Sequence, residues 1–393
     1  MTIHFCTKYP LVAGLLCGAL ACGDNVEQSI QEPEPEPELP ADARIEWDPQ
    51  AQMAQVAGTS DCDSWTPTWA PDGHLYTAFG DCRPEGVPEK IGMGFGRISG
   101  DEAYSVSFTA IPTGDPADWD DAALGAGVEA IGDDSASYKP SGMLHDGSRF
   151  WYCIRNISSA GTGVRLKFSD NYDSAIPTFT WVDWSLPEIG YASFVQYGRG
   201  YAGGSPDHVY AIIPMRSSTA GDVSNSAYQL VPGFSLIRGS RGDLTLESSW
   251  EYFCGSASSP AWCASADATT PILFESETRF TPRAGMSWNP GIGRFMLSLV
   301  YDPTPTTPNE GTRFYGGLEV LVSRQPWGPW QTVFSSDSLI WPGGPSRPAC
   351  GATNWGSGER ADIPTKHMSP DGRTFYLFSS GGDCLAVARG VLP

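Results

Sequence analysis

Apolar residues in this chain come in short runs, each led in by a tight polar turn, and the same turn-and-strand unit recurs five times. The copies are Pro71-Asp72-Gly73-His74-Leu75-Tyr76, His145-Asp146-Gly147-Ser148-Arg149-Phe150-Trp151 and Ser205-Pro206-Asp207-His208-Val209-Tyr210, followed by Asn289-Pro290-Gly291-Ile292-Gly293-Arg294-Phe295 and Ser369-Pro370-Asp371-Gly372-Arg373-Thr374-Phe375. Asp-Gly and Pro-Asp pairs suit the tight turns at which strands reverse, often at positive φ. Each copy ends on an aromatic anchor: Tyr76, Trp151, Tyr210, Phe295 and Phe375. The spacing from one anchor to the next is too long for single hairpins and fits four-stranded blades with long loops. Five such lengths use up the region 41–393. The pattern predicts an all-β fold, a five-bladed β-propeller. A pair of β-sandwiches is the alternative, but it would not repeat one turn-and-strand unit at this spacing. No long amphipathic helix is indicated, and Asp115–Ala130 reads as at most one short turn within a loop.

The chain opens differently. Residues 1–22 read as a secretory signal, with His4 and Lys8 before the apolar run Leu11–Ala21. A run this short suits a signal core and cannot span a bilayer. Ala19-Leu20-Ala21-Cys22-Gly23 resembles a bacterial lipobox, which makes Cys22 the expected lipidated residue, with plain cleavage at the same place as the alternative. Residues 23–42, rich in alternating Glu and Pro, predict an extended, self-repelling tether. The propeller is expected over 43–393.

Composition narrows the function. With 45 acidic and 24 basic residues the net charge is −21, which argues against a nucleic-acid partner. A glycan suits this surface better, and a monomer touching the membrane through its lipid anchor alone is expected. Gly and Pro are abundant, at 45 and 33, as short strands joined by turns require. After signal cleavage and lipidation seven cysteines remain, and export implies that they pair where geometry permits. The expected pairs are Cys62–Cys82, Cys254–Cys263 and Cys350–Cys384, with Cys153 left as a small buried hydrophobe. No Cys-x-x-Cys spacing, His-Glu-x-x-His pair, P-loop, dinucleotide turn, nucleophile elbow or calcium loop occurs. Neither metal nor cofactor is therefore expected.

What the chain holds in quantity is carboxylates and aromatic rings, the inventory of sites that bind and cut sugars. The stretch Asp61–Asp81 begins and ends with acids around a strand, a turn and a second strand. A hairpin returns its end to its beginning, so Asp63 and Asp81 should meet at one end of blade one. Two carboxylates there either form a glycosidase pair or cap turns, and pattern alone does not choose. Trp65 is the expected stacking platform. Lys139 either hydrogen-bonds a sugar, biases a carboxylate or forms an ordinary ion pair. Asp207 belongs to the third turn, as a cap or a substrate contact, while Asp362 and Lys366 flank the last blade and are candidates for the mouth. Trp327 and Trp330 are expected to pack between blades. Ser169–Trp181 is similar to the Asp-box turn of sialidases, a structural element, and no arginine-triad pattern accompanies it.

Several of these motifs together resemble a bacterial family long catalogued as a domain of unknown function, whose characterised members are endo-D-arabinanases of five-bladed propeller fold. The matching residues are Asp63-Ser64-Trp65, Thr68-Trp69-Ala70, Asp72–Ala78, Gly80-Asp81, Lys139–Leu144 and Tyr201-Ala202-Gly203. They continue with Trp288-Asn289-Pro290, Gly293-Arg294-Phe295, Pro326–Trp330, Asp362–Lys366 and Ser369–Gly372, in the same order over about 55–390. The resemblance implies that Asp63 and Asp81 are the catalytic pair and that the substrate is a furanose polysaccharide such as D-arabinan, met outside the cytoplasm. The sequence departs from the family where Cys62 and Cys82 flank the acids and Arg83-Pro84-Glu85-Gly86 replaces a Gly-rich turn. The rival readings are a non-catalytic glycan-binding propeller and a protein-interaction scaffold.

Overall fold

The computed structural model describes residues 39–48, 54–59, 62–82, 91–111, 138–158, 160–301, 317–336, 360–380 and 384–393, without the side chains of 54, 55, 81, 82 and 91. All belong to the unit Pro37–Pro393. The expected signal, Cys22 and most of the tether lie outside the described residues, as do Cys350, Asp115–Ala130 and Arg83–Gly86.

The protein is a five-bladed β-propeller. Two short strands, β1 (Glu46–Trp47) and β2 (Ala54–Gln55), precede the first blade. Blade one is β3 (Asp63–Trp69), β4 (Leu75–Cys82), β5 (Ile91–Ser99) and β6 (Ser107–Ile111). Blade two is β7 (Lys139–His145), β8 (Phe150–Arg155), β9 (Val164–Ser169) and β10 (Thr180–Trp181). Blade three holds β11 (Ser193–Phe194), β12 (His208–Met215), β13 (Gly233–Ser240), β14 (Trp250–Phe253), β15 (Trp262–Cys263) and β16 (Leu273–Phe274). Blade four is β17 (Gly285–Asn289), β18 (Arg294–Tyr301), β19 (Gly317–Ser323) and β20 (Gln331–Ser336). Blade five is β21 (Arg360–Asp362), β22 (Thr374–Ser380) and β23 (Leu385–Val391), completed by β1.

That last pairing closes the ring. Glu46 and Trp47 pair with Val391 and Gly390, so the two ends of the domain share one sheet. Closure in this way leaves no first or last blade to fray. Trp47 seals the joint, its ring edge-on to Phe334 and Phe375.

Each aromatic anchor falls on the second strand of its blade, in β4, β8, β12, β18 and β22, and each recurring turn joins the first strand to the second. The anchors are buried, from Phe375 at 0% exposure to Tyr210 at 9%. Burying a ring of this size contributes on the order of 1.5–3 kcal/mol. The acids of the turns brace the backbone. Asp146 accepts from the backbone N–H of Ser148 and Arg149 and from the Trp151 indole. Asp72 takes His74 N–H and the Tyr76 hydroxyl, and Asp371 takes Arg373 N–H. Gly73, Gly147 and Gly372 have φ of +91°, +99° and +69°, a region that favours glycine.

Cys254 and Cys263 form the expected disulfide, and Cys153 is a buried free thiol pushed up to about 12 by burial. Cys62 and Cys384 are each disulfide-bonded. Their expected partners, Cys82 and Cys350, have side chains outside the described residues. Trp327 stacks on Phe253 at 6.2 Å, so blade four packs on blade three there as expected. Ser169–Trp181 forms the β9–β10 connection, where Asn171 accepts from Thr178 N–H.

Candidate functional site

The inner strands β3, β7, β11, β17 and β21 neighbour one another around the axis. In a ring of five, blade one and blade three are not neighbours, so a contact between them crosses the axis. At the turn end such contacts are present. Arg199, in the single turn Arg199–Tyr201 of blade three, donates to the carbonyl of Pro71 in blade one. Thr365 of blade five donates to the carbonyl of Tyr197 in blade three. The axis is therefore bridged by loops at the turn end; the opposite end is the one where the inner strands begin.

At that end stands Asp63, the first residue of β3 and 5% exposed. It pairs with Gly80, so the hairpin brings the backbone of Asp81 beside it as expected. The Asp81 side chain lies outside the described residues. Two local features fix Asp63. Ser64 takes a φ of +57°, and the β3–β4 register shifts between Asp63 and Thr66, a bulge of the kind that re-aims a side chain. Ser64 N–H is held by Ser380 Oγ of blade five. Gly80 supplies the room: a Cβ there would lie 2.7 Å from Asp63 Oδ1 and 3.6 Å from Pro140 Cδ. The carboxylate thus leans over a glycine, against the inner strand of blade two.

Lys139 opens that strand and is 7% exposed. Its ammonium crosses to blade one and donates to Gly92 O at 3.0 Å. Gly92 lies between the register pairs Gly80–Met93 and Cys82–Ile91, alongside the backbone of Asp81. Lys139 thereby lies beside the backbone of Asp81.

Asp362 is also at the axis, but as the partner of Arg360. The guanidinium grips both Asp362 oxygens, at 2.5 and 2.9 Å. It also donates to Ser141 O on β7, to Ser193 Oγ at the start of β11 and to Tyr191 Oη. One side chain of blade five therefore ties blades two and three across the axis. Burial works against the Arg360 charge, yet Asp362 and then Tyr191 hold its pKa above the ordinary value. Burial holds the Asp362 carboxyl above its ordinary value, against the downward pull of Arg360. With both oxygens accepting from one guanidinium, the geometry supports an ionised pair.

Three expected substrate contacts are placed elsewhere. Trp65 is 1% exposed, its ring wedged 4.9 Å from Phe108 and 5.9 Å from Phe79. It is core between blades one and five and offers no face to a sugar, because the residue that follows the bulge packs inward. Asp207 stays in the third turn, at the bridged end, where its carbonyl accepts Arg241 N–H. Lys366 is also at the turn end, donating to Gly100 O and paired with Asp101 at 3.3 Å. The hairpin pattern locates these residues along the chain, while the direction of each strand puts them away from the mouth.

The mouth also holds residues that no motif announced. Arg155 ends β8 opposite Lys139, is 2% exposed and donates from Nε to Pro140 O. Its guanidinium lies 4.9 Å from the ring of Tyr228, and that of Arg283 lies 5.8 Å from the same ring. Tyr228, in the loop between β12 and β13, accepts from Asn156 Nδ2 at 2.8 Å. Burial alone would raise the Tyr228 phenol, but Arg155, Asn156 and Arg283 together bring it below its ordinary value.

No protein-family model matches the chain, and no curated protein does. Solved structures share its outline. The catalytic domain of a Coprinopsis cinerea GH62 alpha-L-arabinofuranosidase superposes at 7% identity over 90% of this chain and 98% of its own, with a TM-score of 0.47. A glycosyl hydrolase from Bacteroides ovatus gives 10% identity, 90% and 96% coverage and 0.48. A GH43_1 enzyme from Xanthomonas citri gives 10%, 86% and 89%, and 0.46. At these scores and identities the likenesses carry no argument about what this protein does.

Proposed function

We propose that this protein is a glycoside hydrolase acting on a furanose-containing polysaccharide, with D-arabinan the first substrate to try, and that Asp63 and Asp81 are its two acids. The observation that carries the reading is Asp63: a nearly buried carboxylate, aimed by a left-handed bulge over a glycine at the end of the axis where the inner strands begin. A turn cap needs none of this, and the caps at the other end are built differently. In the proposed reaction one acid protonates the departing glycosidic oxygen while the other attacks the anomeric carbon or activates water. Lys139 biases the pair towards one charged and one neutral member.

The test is release of reducing ends from a panel of polysaccharides, with and without Asp63→Asn. Hydrolysis that disappears in the variant supports the reading. Tight binding of a glycan with no hydrolysis by the wild-type chain would instead select the non-catalytic, glycan-binding alternative.

We propose further that the chain is exported and held by lipid on Cys22. The Cys254–Cys263 disulfide supports an oxidising compartment. Cys22→Ala should leave the domain folded and release it from the membrane fraction. Sedimentation of that variant with membranes at high salt would overturn the anchor.

A further inference from the structure

Cationic side chains collect at the mouth beside the acids Asp63 and Asp362. The chain carries a net charge of −21, yet Lys139, Arg155, Arg283 and Arg360 gather at this end of the axis. Arg360 is fully engaged: its donors go to Asp362, Ser141, Tyr191 and Ser193. Arg155 is engaged only in part. Its Nε has Pro140 O and its guanidinium lies 4.9 Å from the Tyr228 ring, but among the described residues its Nη1 has no hydrogen-bond partner although the residue is 2% exposed. Leaving a buried donor unsatisfied is costly, and such groups in folded proteins call for an explanation. Here the surroundings supply one. Arg155 and Arg283 flank a single ring, Tyr228, which also carries the Asn156 amide on its hydroxyl. Tyr228 is 40% exposed, so the cluster is reached from solvent past this residue. Planar guanidinium forks match the two oxygens of a carboxylate, which accepts from them in pairs.

We propose that Arg155, with Arg283, Tyr228 and Asn156, forms a carboxylate-binding subsite beside Asp63, and that the polysaccharide taken by this mouth carries uronic acid residues. The inference rests on the mouth being the glycan site proposed above and goes further by naming a charged sugar in it. Adjacency comes from Pro140. Its carbonyl receives Arg155 Nε, and its Cδ and Asp63 Oδ1 lie 3.6 and 2.7 Å from the same point over Gly80. A uronate held by Arg155 would therefore put its own ring, or the next one, within reach of Asp63.

The test is titration calorimetry on the whole chain. The probes are oligogalacturonate, oligoglucuronate and oligomannuronate, each beside its carboxyl-reduced neutral counterpart, with inorganic phosphate as a further arm. At least one acidic oligosaccharide should bind tenfold or more tighter than its reduced form. That preference should weaken with salt and disappear in Arg155→Gln. Equal affinity for all acidic and reduced pairs would overturn the subsite, and this comparison needs no variant to fold. Preference persisting in a folded Arg155→Gln chain would also overturn it. Phosphate binding as tight as the best uronate would mean a general anion site and contradict the sugar assignment. Asp63→Asn keeps the arginines, so loss of turnover with the preference intact supports both readings. Uronate preference with no reducing ends released from the polysaccharide panel by the wild-type chain would sink the hydrolase and leave the subsite standing.

Discussion

The two ends of the propeller axis put the same residue type to opposite uses. At the turn end aspartates sit in the tight connections and spend their oxygens on local donors: Asp146 on Ser148, Arg149 and Trp151, Asp72 on His74 and Tyr76. At the mouth Asp63 starts a strand, is displaced by a bulge, and leans over a glycine that Pro140 of the next blade also approaches. Both ends are tied across the axis, the turn end by Arg199 and Thr365 and the mouth by Arg360. The contrast teaches that a carboxylate's duty in this fold is set by strand direction and by what faces it, and its neighbours in sequence say little about it.

The sharpest way to break the contrast is to neutralise Asp63. Asp63→Asn keeps shape and loses ionisation, and kcat on the substrate identified by the panel should fall at least about 10³-fold with little change in Tm. Initial-rate kinetics and calorimetric melting of the same preparation check this. A smaller effect is expected from Gly80→Ala, which adds a methyl group 2.7 Å from Asp63 Oδ1. The acid is then intact but displaced, and kcat should drop about 10²-fold, as a small misplacement can cost. Unchanged kcat would mean that the position of Asp63 does not matter.

At the other end the readout should switch from rate to stability. Asp146→Ala strands the Trp151 indole and two backbone donors, and denaturant unfolding should show a loss of about 2–4 kcal/mol. Activity per folded molecule should stay within twofold. A pH-dependent effect belongs to two histidines of the same end, His145 and His367, both pushed down to about 4 by burial. In the unfolded chain they titrate near 6.5. Between these values the unfolded state binds more protons, so stability is complete above about pH 6.5 and declines as pH falls towards 4, by roughly 2–3 kcal/mol per histidine. Melting curves from pH 7.5 to 4.5 should show the decline, and His145→Gln with His367→Gln should flatten it.

How far the sequence disclosed these ends depends on local signal. The turns and anchors were legible because tight-turn chemistry and an aromatic shortly after it recur five times, once per blade. Asp63 was legible because the hairpin that starts after it must return to it. Trp65 misled, since a positive φ at Ser64 is a tertiary matter, fixed by Ser380 from the last blade. Asp207 and Lys366 misled because the turn-and-strand unit shows where a strand starts, without showing which end of the axis it faces. Arg155 reads as the polar end of an apolar strand, Tyr228 belongs to no pattern, and Arg360 meets Ser141 only across the axis. The ring closure by β1 was silent for the same reason, since so short a strand carries almost no periodicity.

One series tests the central claim most directly: kcat and Tm measured side by side for Asp63→Asn, Asp72→Ala, Asp146→Ala and Asp371→Ala. The account predicts that Asp63→Asn alone loses turnover, at nearly unchanged Tm. The three turn variants should keep turnover per folded molecule and lose Tm, most of all at Asp146. Retained turnover with a lowered Tm in Asp63→Asn would make Asp63 one more turn brace and contradict the account.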